Sequence, residues 1–155
     1  MKNENKKTFI FDGLGFPIKL TNVPMRKIVG EWCIDINMNQ LMIVVLEALV
    51  HKPTSLAGDE LSFIRSYLQM TPAQFGKIFG ISRASVTKLE NKKILMSPSL
   101  ELCIRLYVLN FLKVKDKEFR ALFNAVSLEQ LSKNPRKKVH PIAVDATTEE
   151  LKIAL

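Results

Sequence analysis

Arg83, Ala84, Thr87 and Lys88 stand one after another on the outer side of a single short helix, if residues 82 to 91 are helical. At about 100° per residue these four share one side, while Val86 and Leu89 share the opposite one. The outer side is short, polar and cationic. It begins at a helix N-terminus, whose partial positive charge and unpaired N–H groups suit an anion such as a phosphate. Between Thr71 and Lys93 five basic residues stand against one acidic residue, Glu90, a net charge of +4. A solvated charged surface is the ordinary alternative for such a cluster. The sorting of residues by face favours a nucleic acid instead.

The elements that must hold these side chains can be read from the same stretch. Residues 71 to 93, TPAQFGKIFGISRASVTKLENKK, have the pattern of two short helices joined by a tight glycine turn, the helix-turn-helix layout. Thr71 is placed to cap the first helix, with Pro72 at the first position, where a missing N–H costs nothing. Phe75, Ile78 and Phe79 make its buried stripe, onto which Val86 and Leu89 would dock. Gly80 is where the chain leaves the helix, with positive φ expected, and Ser82 caps the second helix. Gly76 is expected where the two helix axes come closest. The five apolar residues are expected in the core whatever the function.

Across residues 60 to 93 the chain resembles the Cro and phage-repressor class of helix-turn-helix regulators, the XRE type. The resemblance implies that Arg83, Ala84, Thr87 and Lys88 read base edges. In that role Arg83 and Lys88 suit guanine O6 and N7, and Ala84 suits a thymine methyl. It implies that Arg65, in the preceding helix, pairs with Glu90 as a structural ion pair and makes no DNA contact. Two departures stand out. Pro72 replaces the glutamine with which the family contacts a phosphate, leaving the backbone N–H groups of Ala73 and Gln74 for that purpose. Asn91, Lys92 and Lys93 replace the family's Asn-Gly-Lys, which strains the turn and adds a charge. Thr71, Ala73, Gln74, Ser82, Asn91, Lys92 and Lys93 would then position the duplex through its backbone.

Composition points to the same partner. The chain has 155 residues, a formal net charge of +8 and a pI of about 9.6, a balance that favours a polyanion. A membrane span is not expected: the longest strongly apolar run, Leu41 to Val50, is about half the ~20 residues required and contains Glu47. No secretory signal is legible, since MKNENKK is followed by TFIFDGLG. The isolated Cys33 and Cys103 suit a reduced, cytoplasmic protein. Cys33, His51, Cys103 and His140 lack the paired spacings of a zinc site. Glu31, Asp35 and His51 are the only acid–base candidates near one another in sequence. They have no nucleophile motif or phosphate loop beside them, so neither an enzyme nor a cofactor is expected.

Around the motif, residues 8 to 36 alternate the β-type runs TFIF, FPIKL and WCIDI with turn residues, giving two or three short strands that must lean on a helix or on a second copy of themselves. Residues 39 to 51 and 58 to 70 read as helices, the second with Leu61, Ile64, Tyr67 and Leu68 inward. Ser99 is expected to cap a further helix in which Leu100, Cys103, Ile104, Tyr107, Val108, Phe111 and Leu112 wrap more than halfway round. Its second apolar surface would be covered by the N-terminal strands, by the Phe119, Leu122, Phe123 and Val126 segment, or by the same helix of another subunit. The basic runs at Lys2, Lys6 and Lys7 and at 133 to 138 read as solvated, or as arms on DNA. The tail reads as an extended segment and a short terminal helix capped around Asp145 to Thr148.

The fold expected is therefore mainly α, a five-helix repressor-like helix-turn-helix core with a small N-terminal β hairpin or sheet and a C-terminal helical extension. The boundaries expected are 1–52 for an N-terminal β/α segment, 53–112 for the DNA-binding domain and 113–155 for the extension. The function expected is a transcriptional regulator binding double-stranded DNA as a homodimer, with half-sites about 34 to 36 Å apart. The alternative is an antitoxin that holds a toxin protein through its N-terminal strands or its tail.

Overall fold

Period-two alternation organises residues 18 to 20, with Ile18 and Leu20 buried and Lys19 exposed between them, and it shifts at Asn22, exposed at φ 53°, so that Val23 is buried in turn. The computed structural model describes residues 6–113, 117, 141–147 and 151–153. Two units partition the chain, Met1–Ala48 with His140–Leu155, and Leu49–Val139.

The first unit contains strand β1 (Lys6–Phe11), antiparallel to β2 (Ile18–Val23) with Phe9 opposite Leu20. A hairpin follows, β3 (Met25–Ile28) and β4 (Glu31–Ile34), then most of helix α1 (Met38–Val50). The hairpin turns at Val29 and Gly30, both with positive φ, as a two-residue turn of this hand requires. Near the end of the chain Ile142–Asp145 forms a strand parallel to β2, and Lys152–Ile153 forms one antiparallel to it. Thr21 ties the parallel pair further, its hydroxyl donating to the Val144 carbonyl at 3.2 Å. Beyond that strand the Thr147 hydroxyl donates to Asp145 Oδ1 at 2.6 Å, and this bond, helped by the Thr147 amide, holds the Asp145 carboxyl below its ordinary range.

The second unit is helical: α2 (Gly58–Tyr67), α3 (Pro72–Phe79), α4 (Arg83–Glu90) and α5 (Pro98–Phe111). In chain order the two late strands are β5 (Ile142–Asp145) and β6 (Lys152–Ile153). The mainly α expectation is corrected by them. Among the described residues the five helices share the architecture with a four-stranded mixed sheet, order β1-β2-β5-β6, and a separate two-stranded one. The physical reason is distance along the chain, because β5 pairs with a strand at the other end of the sequence and no local periodicity announces it. Residues 152–153 pair as a strand where a terminal helix was expected. The Phe119 to Val126 segment, the 133–138 run and Lys2 lie outside the described residues.

Helix α5 differs from its expected form in two ways. Ser97, not Ser99, is the cap, its Oγ accepting from the Leu100 N–H at 3.3 Å, which puts Pro98 at the first helical position, where proline is tolerated. Its inward side carries Glu101, Ile104, Arg105, Val108 and Leu109, while Cys103 and Phe111 are exposed. Glu101 and Arg105 are an ion pair at 2.7 Å with side chains 1% and 0% exposed. Arg105 also donates to the carbonyls of Val50, Lys52 and Thr54, and Glu101 accepts from the Leu56 N–H. Beside them the buried Lys52 pairs with Glu60 at 2.7 Å, and Glu60 accepts from the Ala57 N–H. The connector 51–57 is thus fastened by charges. Among the described residues no helix is long and apolar enough to cross a membrane.

Candidate nucleic-acid interface

Helices α3 and α4 lie where the sequence places them, and their ends explain why. Thr71 Oγ1 accepts from the Gln74 N–H at 3.2 Å and the Gln74 side chain accepts from the Thr71 N–H at 2.8 Å, a reciprocal cap. Gly80 ends α3 at φ 70°, a left-handed backbone that glycine adopts without strain. Ser82 Oγ then accepts from the Ser85 N–H at 3.0 Å and opens α4.

Packing orients the pair. Phe75 is fully buried, and Phe79 meets Tyr107 of α5 edge-on at 5.4 Å between ring centroids. Ile78, expected in the core, is 45% exposed, so the inward side of α3 is narrower than its apolar residues suggest. Gly76 is required by the turn, not by the crossing of the helix axes: a Cβ there would collide with the Ile81 carbonyl oxygen, while the Ile81 N–H donates back to Gly76 O at 2.9 Å.

On α4 the two sides separate fully. Val86 is 0% and Leu89 6% exposed, whereas Arg83, Ala84, Thr87 and Lys88 all face solvent. The Thr87 hydroxyl donates to the Arg83 carbonyl at 3.2 Å, so its oxygen is left as an acceptor toward a ligand. Thr71, Ala73, Gln74, Ser82, Asn91, Lys92 and Lys93 are exposed as well. The structure brings Thr71 and Gln74 onto each other. In doing so it occupies the Gln74 N–H, which leaves the Ala73 N–H as the donor available in the first turn of α3.

The opposite end of α4 is held against α2. Arg65 grips Glu90 with two bonds, Nε to Oε1 at 2.5 Å and Nη2 to Oε2 at 3.1 Å, and also donates to the Met70 carbonyl. This bidentate pair is mostly buried, at 16% and 13% exposure. Gly58, not singled out by sequence, allows the approach, because a Cβ there would lie 2.7 Å from the Leu89 carbonyl oxygen. The chain then turns through Lys92 at φ 59°, with the Lys93 N–H donating to Lys88 O at 2.8 Å. Lys92 Nζ lies 2.6 Å from Asp59 Oδ2. Asp59 was also missed, since its only sequence signal is an acidic residue in the first turn of a helix.

The arrangement thus turns two cations, Arg83 and Lys88, and the Thr87 hydroxyl outward along one side of α4. No family model, curated protein or solved structure matches the chain.

Proposed function

We propose that the protein is a sequence-specific DNA-binding transcriptional regulator of the XRE-like type, a cytoplasmic repressor that binds a partly palindromic operator as a homodimer and performs no catalysis. One observation carries this reading: α4, capped by Ser82, buries Val86 and Leu89 while it presents Arg83, Ala84, Thr87 and Lys88 to solvent. In the complex α4 enters the major groove. Arg83 and Lys88 donate to guanine, Ala84 touches a thymine methyl, and the Thr87 oxygen accepts from a base amino group. Thr71, the Ala73 N–H, Ser82, Asn91, Lys92 and Lys93 hold the phosphates. Titration of a selected site and of a random duplex at several salt concentrations tests this. Arg83→Ala should cost about 1 to 3 kcal/mol on the selected site alone, and Lys93→Ala should weaken both duplexes alike and flatten the salt slope. Equal effects of both substitutions on both duplexes would count against the reading.

A second reading adds a protein partner, a toxin held by an antitoxin. It is favoured by the β3–β4 hairpin, where Val29 is 99% exposed and Ile28 and Trp32 are about half exposed. Co-purification of a small protein encoded next to this chain, lost on deletion of residues 1 to 50, would support it.

A further inference from the structure

The end of α4 contains a strained residue and an acidic neighbour that together have a use. Lys92 occupies a left-handed backbone position at φ 59°, where glycine would be free of strain. Its ammonium reaches 2.6 Å from the Asp59 carboxylate, with side chains 60% and 44% exposed. The carboxylate is not there by accident of a mobile surface. Asp59 lies in the first turn of α2, next to Gly58, whose close approach to the Leu89 and Glu90 carbonyls fixes that turn against the end of α4. Arg65 and Glu90 clamp the same two helices. Three contacts thus set Asp59 opposite the lysine that would otherwise face the duplex backbone with its full charge.

We propose that Asp59 is an affinity-limiting residue for DNA: it holds Lys92 in the free protein, and a duplex phosphate must displace it. This rests on the DNA-binding reading above. The exchange replaces one carboxylate by one phosphate oxygen on the same ammonium, so it contributes no sequence preference. It lowers the affinity for every duplex and leaves discrimination to Arg83 and Lys88. An exposed pair of this kind is weak enough to be given up on binding. Salt screens it, so the restraint is strongest at low ionic strength.

A double-mutant cycle tests the proposal. Binding to a site selected by the wild type and to a random duplex is titrated over a range of salt for wild type, Asp59→Asn, Lys92→Gly and the double variant, with Asp59→Ser as an independent replacement. Glycine suits the left-handed position, so Lys92→Gly removes the charge without disturbing the turn. Removing Asp59 should tighten both duplexes by about 1.5- to 5-fold more when Lys92 is present than when it is absent. That excess should be the same for both duplexes and should fade as salt rises. Equal gains in both backgrounds would mean that Asp59 acts only through overall charge, and would overturn the proposal while leaving the DNA reading intact. Absence of salt-dependent binding by the wild type to any duplex would overturn both.

Discussion

The helical unit uses oppositely charged pairs at two places, and the contrast between them separates structure from recognition. Where α5 meets the connector 51–57, Glu101, Arg105, Lys52 and Glu60 are buried, and Arg105 donates to three backbone carbonyls and to the Glu101 carboxylate. At the end of α4, Lys92 and Asp59 make their contact in solvent. The Arg65–Glu90 pair stands between the two in exposure. Identical chemistry thus serves three purposes: a sealed pair fixes backbone, a mostly buried pair fixes one helix against another, and an open pair can be exchanged for a ligand.

The largest effect should come from breaking the sealed end. Arg105→Ala would leave Glu101 buried without its cation and three carbonyls without donors, costing about 3 to 5 kcal/mol in chemical unfolding. Arg65→Ala should cost about 1.5 to 3 kcal/mol in the same assay, because its pair is less completely buried and water can reach the stranded Glu90. A loss equal to that of Arg105→Ala would erase the gradient drawn here. The smallest effect has the opposite sign. Lys92→Gly should stabilise the fold by about 1 kcal/mol in thermal or chemical unfolding, the relief of a left-handed side chain outweighing a solvent-exposed ion pair. No gain would show that the turn is unstrained with lysine in place.

What could be read from sequence follows the range of the interactions. The α3–α4 motif was legible because its determinants are local: Thr71 and Gln74 cap each other, Gly80 turns the chain, and Ser82 opens the next helix. The mixed sheet was not: an extended segment was legible in the tail, but its partner β2 lies at the other end of the chain and no local pattern points to it. Glu101 and Arg105, at i and i+4, have the spacing of an ordinary solvated pair on a helix surface. Only the connector packed over them makes that side an interior. Ile78 failed in the other direction, since an apolar residue in register with a stripe still needs a neighbour to cover it. For the candidate site, Arg83, Ala84, Thr87 and Lys88 followed from helical geometry. Asp59 did not, because the contact it makes joins two helices across the motif.

The fastening of residues 51–57 has a consequence for how the helical unit comes apart. Irregular backbone is ordinarily the first to open, since few bonds restrain it. Here the Leu56 and Ala57 amides are committed to carboxylates, and the Val50, Lys52 and Thr54 carbonyls to one guanidinium. Local fraying of this stretch would have to uncover four charged groups together, so the stretch is tied to the cooperative melting of α2 and α5, whose side chains hold it.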